Sequence, residues 1–216
     1  MTLNNFKNRL YTSLVLFLVL FLIMNFNFIL IYSLIILGTL SILEFLQLTK
    51  KIIKKNIYYF FTNIIFIIYI LFFCILFFVF NNFLQLKIIL FSLLLGCVAS
   101  DIGGFVFGKI FKGPKLSKIS PNKTISGSLG GLLFTIVVFK SSIFYFTGNL
   151  SWKLIFIAII TSIFCQLGDL FFSFLKRKAK IKDTGKFLPG HGGVLDRVDG
   201  ILLGVPLGYL SLVLLI

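Results

Sequence analysis

LYTSLVLFLVLFLIMNFNFILIYSLIILGTLSIL, residues 10–43, runs for 34 residues without a single charge. A helix needs about 20 mainly apolar residues to cross a bilayer, so this stretch can hold two crossings. Asn25 and Asn27 stand where a turn between them would fall. A cleavable signal has an apolar core of only about 7–15 residues, so this run, preceded by Lys7 and Arg9, reads as an anchor. The rest of the chain has the same character. Of its 216 residues 59% are hydrophobic and 12% charged, and the mean hydropathy is +1.09. So little polar surface cannot coat a core in water, which excludes an ordinary soluble fold.

Further spans are expected at about 57–80, 85–108, 126–145, 152–172 and 198–216. Asn81 and Asn82 end the first of these, Lys87 is placed to snorkel, and Pro206 is an expected kink. The fold class is therefore an all-α, polytopic membrane helix bundle of about seven transmembrane helices. It reads as one integral membrane domain, with N-terminal spans over 1–95 and a catalytic region over 96–216. Alternating the loops across seven spans puts 18 of the 21 basic residues on one side and only Lys87, Lys140 and Lys153 on the other. The positive-inside rule then places the N-terminus in the cytoplasm. Cys74, Cys97 and Cys165 are scattered in apolar runs, without disulfide or zinc spacing, and read as small buried hydrophobes.

Acidic residues are few: Glu44, Asp101, Asp169, Asp183, Asp196 and Asp199. A carboxylate inside or at the end of a span is costly and is a functional candidate by default. Ser162, Gln166, Asp169 and Ser173 share one face of the sixth expected span. Such a stripe either joins helices by hydrogen bonds or lines a site, and both readings stand open. Asp196 and Asp199 are one turn apart, with Arg197 directed elsewhere. Two carboxylates on one face repel unless a cation lies between them or one takes a proton, and an all-oxygen set suits magnesium beside substrate phosphates. Bridging lysines are the plainer alternative.

Between these helices lies the basic run from Lys176 and Arg177 through Lys182, Asp183 and Lys186, followed by Pro189-Gly190-His191-Gly192-Gly193. The run alone could be an anchor on anionic lipid. Successive glycines, however, let backbone N–H groups converge on an anion, and His191 is the only histidine. Basic loop, glycine turn and carboxylate pair together suit a polyphosphate and a divalent metal. A second basic element, Ser120-Pro121-Asn122-Lys123-Thr124, follows Asp101, and glycine pairs Gly104/Gly108 and Gly127/Gly131 read as close helix packing.

These residues resemble the signature of the phosphatidate cytidylyltransferases, also called CDP-diacylglycerol synthases. The resemblance rests on Gln166-x-Gly168-Asp169 with Ser173, Lys176 and Arg177, on Lys182-Asp183-x-Gly185, on Pro189 to Gly193, and on Asp196-Arg197-x-Asp199. Asp101-x-x-Gly104 and Ser120-Pro121-x-Lys123-Thr124 are similar to two further family motifs, so about residues 96–205 are covered. The sequence departs from the pattern at Phe172, where the family usually has an acid, at Ile125-Ser126 in place of Trp-Glu, at Asn122 in place of Lys, and at Gly104-Phe105 in place of Ala-Tyr.

The resemblance implies transfer of a cytidylyl group from CTP to phosphatidic acid, giving CDP-diacylglycerol and pyrophosphate. It casts Asp169, Asp196, Lys182, Arg197 and His191 as catalytic, and Lys123, Lys176, Arg177, Gly190, Gly192, Gly193 and Asp101 as substrate-binding. Mg2+ would be held by Asp169 and Asp196 with Asp199 and Asp183 nearby, and a second, monovalent cation is a family expectation that the spacing does not require. The expected setting is the cell membrane, with membrane lipids as partners, the site on the cytoplasmic side, a homodimer as a candidate state and no nucleic acid. Alternatives are another CTP-dependent lipid transferase, such as a polyprenol kinase or ether-lipid cytidylyltransferase, or an anion channel or transporter.

Overall fold

The computed structural model describes residues 15, 18–19, 21–23, 25–117, 119–148, 150–185, 187 and 192–215. Most of the first expected span lies outside them. Among the described residues six helices are long and apolar enough to cross a membrane: α1 (Asn27–Ile52), α2 (Asn56–Asn82), α3 (Leu84–Phe111), α4 (Ile125–Thr147), α5 (Lys153–Lys178) and α6 (Leu195–Leu215). At 1.5 Å per residue they measure roughly 32–42 Å, enough for a hydrocarbon core of about 30 Å. The protein is an all-helical, multi-pass membrane protein. The described residues hold no strand, only an isolated bridge between Lys115 and Thr124.

The helix ends follow local chemistry. Phe26, in extended conformation, separates α1 from what precedes it, at the position the Asn25/Asn27 pair predicts. Thr124 caps α4 by accepting the Gly127 N–H at 3.1 Å, and Gly148, at φ +68°, closes it in the left-handed conformation. Helix α5 runs six residues beyond the predicted end at 172, because lysine and arginine are good helix formers although they end the apolar stretch. It stops where Lys180 turns left-handed, at φ +56°, and the Ile181 N–H reaches back to the Lys176 carbonyl. Helix α6 begins three residues earlier than predicted, which brings Asp196 and Asp199 into its opening turns, and it continues through Pro206.

The chain forms two compact units. The first takes the chain up to Asn81 together with Leu175–Val198. Here α1 and α2 pair antiparallel around a three-residue connection. Thr49 donates to Asn63 at 2.9 Å near one end of the pair, and Asn81 donates to Asn27 at 2.9 Å near the other. Between these clasps Phe45 stacks on Phe66, with Ile70 and Phe73 almost fully buried.

The second unit comprises Asn82–Phe174 and Asp199–Ile216. Small residues let its helices approach closely, which is how helices associate where lipid offers no hydrophobic drive. A Cβ on Gly127 would stand 2.6 Å from the Gly104 carbonyl oxygen, and one on Gly131 2.7 Å from that of Ser100. The paired glycines are thus a packing seam between α3 and α4. Gly204 lies against the Cys97 and Cys165 side chains of α3 and α5, so these two buried thiols fill space in the seams. Cys74 is half-buried in α2.

Candidate active site

The predicted site residues fall into a cluster in each unit. In the second unit the polar stripe of α5 divides into two parts. Its earlier members join helices: the Ser162 hydroxyl meets that of Ser100 at 3.0 Å, and Gln166 donates to the Ser128 carbonyl at 3.1 Å while accepting from the Ser128 hydroxyl. One turn on, Asp169 faces a cavity of about 360 Å³ whose lining includes Asp101, Gly104, Lys123, Thr124 and Gln166. The stripe therefore joins helices through its earlier members and reaches a cavity at Asp169.

Lys123 reaches Asp169 because its loop is held at several points. The Leu116 N–H donates to the Lys123 carbonyl at 2.8 Å, the Ile125 N–H to that of Pro114 at 3.0 Å, and the Lys123 N–H to that of Ser120 at 3.1 Å. The Ser126 hydroxyl donates to the Lys112 carbonyl where the loop leaves α3. From this support the Lys123 ammonium pairs with Asp169 Oδ2, while Ser173 donates to Oδ1 at 3.3 Å. The two side chains keep 29% and 30% exposure. An ion pair this open contributes little stability and can exchange its partner for an incoming phosphate at small cost. Gly168, beside Asp169, packs against the backbone of Asp199 and Gly200, so α6 closes on α5 at this level.

The first unit holds a tighter cluster. Lys176 Nζ donates to Asp196 Oδ1 at 2.7 Å, with only 13% and 7% of the two side chains exposed. Asp196 Oδ2 accepts the N–H groups of Thr184 at 2.8 Å and Gly193 at 3.1 Å. Gly192, at φ +85°, lies against both Asp196 and Asp183, which brings these two acids to one glycine. Arg177, Lys182 and Arg197 are exposed around the cluster. Gly190 and His191, named from the sequence, lie outside the described residues, as does Lys186.

Glu44 is the residue that sequence reasoning left without a role. It is 1% exposed, and its carboxylate meets Thr184, Val194 and Leu195. The signal in the sequence was its solitude, as the one acid in the first hundred residues, placed inside a span. Phe172, at the position where the resembled family has an acid, is 4% exposed and packs edge-on to Phe171, so that position is apolar packing.

The donors suit a hard divalent cation, since they are oxygens throughout. Among the described residues no three acidic, histidine or cysteine side chains form a group that could hold a metal alone. Magnesium is compatible with that, because it usually takes one or two carboxylates and completes its shell with water and substrate phosphates.

Comparison with known proteins gives a consistent result. The model of the Cytidylyltransferase family matches residues 1–215. A protein named phosphatidate cytidylyltransferase from Staphylococcus haemolyticus is 46% identical over 110 residues, which is 50% of this chain and 42% of that protein. Its namesake from Staphylococcus aureus is 44% identical over the same extent, and that from Staphylococcus epidermidis is 43% identical over 124 residues, 56% of this chain and 47% of the relative. The matched region thus spans less than half the length of these curated relatives.

Proposed function

Since the chain belongs to the cytidylyltransferase family, we propose that it transfers a cytidylyl group from CTP to phosphatidic acid, releasing pyrophosphate and forming CDP-diacylglycerol. The observation that carries this reading is the open Lys123–Asp169 pair on a cavity that Asp101 also lines, in a chain made of membrane-spanning helices. A water-soluble nucleotide and a lipid phosphate have to meet at such a place.

A phosphate oxygen of phosphatidic acid attacks the α-phosphorus of CTP. The new P–O bond forms as the bond to the β-phosphate breaks, and its electron pair leaves with pyrophosphate. The nucleophile is ionised near neutral pH, so no strong general base is required. The barrier lies in bringing one anion against another, which positioning and charge neutralisation overcome. Lys123, released from Asp169, would hold a substrate phosphate. Arg177, Lys182 and Arg197, all exposed, would neutralise the polyphosphate, and the Gly192–Gly193 turn would present backbone to it. Lys176, fixed on Asp196, would add a stationary positive charge. Within each unit the acids are the groups we assign to magnesium, Asp169 and Asp199 in one and Asp196 and Asp183 in the other; the metal when bound would offset charge on the triphosphate and the departing pyrophosphate.

The separation of 18 basic residues from three supports a cytoplasmic N-terminus and a site open to cytoplasmic CTP, in the cell membrane. The deciding experiment supplies labelled CTP, phosphatidic acid and magnesium to the protein purified in detergent. Labelled CDP-diacylglycerol is expected. Its absence, with product formed from a prenyl or ether-lipid phosphate instead, would overturn the acceptor assignment.

A further inference from the structure

Glu44 belongs to α1, far in sequence from every motif described above, and the reaction makes no direct use of it. Its Oε2 accepts the Thr184 hydroxyl at 2.7 Å and the Leu195 N–H at 2.9 Å, and its Oε1 accepts the Val194 N–H at 2.9 Å. These donors lie 140–151 residues away and come from both ends of one segment, residues 184–195. Two of them are backbone N–H groups at the start of α6, where the helix dipole favours negative charge. A carboxylate in a dry interior demands such donors, and one that has them fixes their geometry.

Two further contacts make the fit specific. Gly185 and Gly193 press directly on the Glu44 carboxylate, so a Cβ at either would collide with it. Asp196 holds the same two ends a second time, through the N–H groups of Thr184 and Gly193. The base of the loop is therefore tied by one acid from α1 and another from α6. The residues between those ties include the glycine turn, and Asp183 adjoins them.

We propose that Glu44 is a positioning residue whose carboxylate pins Thr184 and the Val194–Leu195 start of α6, and so holds Gly192, Gly193 and the adjoining Asp183 where they engage the polyphosphate of CTP. This rests on the proposed function for the identity of the ligand, although the pin itself does not. Gln is nearly isosteric with Glu but turns one acceptor into a donor, which then faces an N–H group. In Glu44→Gln the backbone amides of Val194 and Leu195 should exchange with solvent at least about tenfold faster, while amides of α3 and α4 keep their protection. The KM for CTP should rise at least about fivefold with the KM for phosphatidic acid within about twofold, because only one substrate meets the loop. Thr184→Val, which removes a single hydroxyl donor, should shift both readouts in the same direction by less, and it carries the test if Glu44→Gln does not insert. Unchanged exchange over 184–195, or equal rises in both KM values, would overturn the proposal. Should the wild-type protein form no CDP-diacylglycerol, the parent reading fails, and the exchange measurement alone then upholds or overturns the pin.

Discussion

Lys123 and Lys176 each meet an aspartate, but at very different exposure, and this separates their roles. Opening the Lys123–Asp169 pair costs little, whereas removing one partner of the buried Lys176–Asp196 pair strands a charge. Lys123→Ala should therefore lower kcat/KM by about tenfold or more with an unchanged thermal midpoint, since the lost contact forms with substrate. Asp196→Asn should reduce turnover by roughly a hundredfold or more, and it should also lower the midpoint, because the charge that pairs with Lys176 is lost and one of the two accepting oxygens becomes a donor facing another donor. Lys178→Ala should stay near wild-type rates while Lys182→Ala does not, and equal losses would favour a diffuse electrostatic role for the whole run. Asp169 stood out in the sequence because an acid within a polar helical stripe, near the end of an apolar span, is costly to keep without a use. The role of Glu44 did not, because its partners are backbone groups and a hydroxyl 140 or more residues away, and no local pattern records them.

The helices were legible at the level of elements because lipid enforces their length and composition. Their ends were less so, since hydropathy marks where apolar residues stop and not where the backbone stops coiling. Lys176, Arg177 and Lys178 continue α5 past its apolar limit, and Leu195 and Asp196 start α6 ahead of it. The glycine pairs of α3 and α4 announced a close seam, and the geometry adds which members bear on it. Gly104 has space, since a Cβ there would keep 3.6 Å from its nearest neighbour, whereas Gly127 has none at 2.6 Å. Gly104→Ala should leave the thermal midpoint in detergent nearly unchanged. Gly127→Val should destabilise by about 1–3 kcal/mol through overpacking. Equal tolerance at both positions would mean that the seam yields easily.

For the whole molecule, the asymmetric distribution of lysine and arginine predicts how it lies in the membrane. With the three native cysteines replaced, Lys112→Cys should react with an impermeant thiol reagent only in inside-out vesicles, and Trp152→Cys only in right-side-out ones. The reverse pattern would overturn the orientation. A chain lacking Asn27–Ile52 should be inactive although it retains every motif of residues 96–216, because the glycine loop loses its tie to α1. The same tie bears on biogenesis. During translation Glu44 enters the bilayer long before Thr184, Val194 and Leu195 exist, so the nascent chain carries an acid without any of the donors it will finally meet. Synthesis of α6 supplies two of them at once. The settling of α1 thus waits on a helix made some 150 residues later, since Glu44 meets its donors only when α6 has arrived.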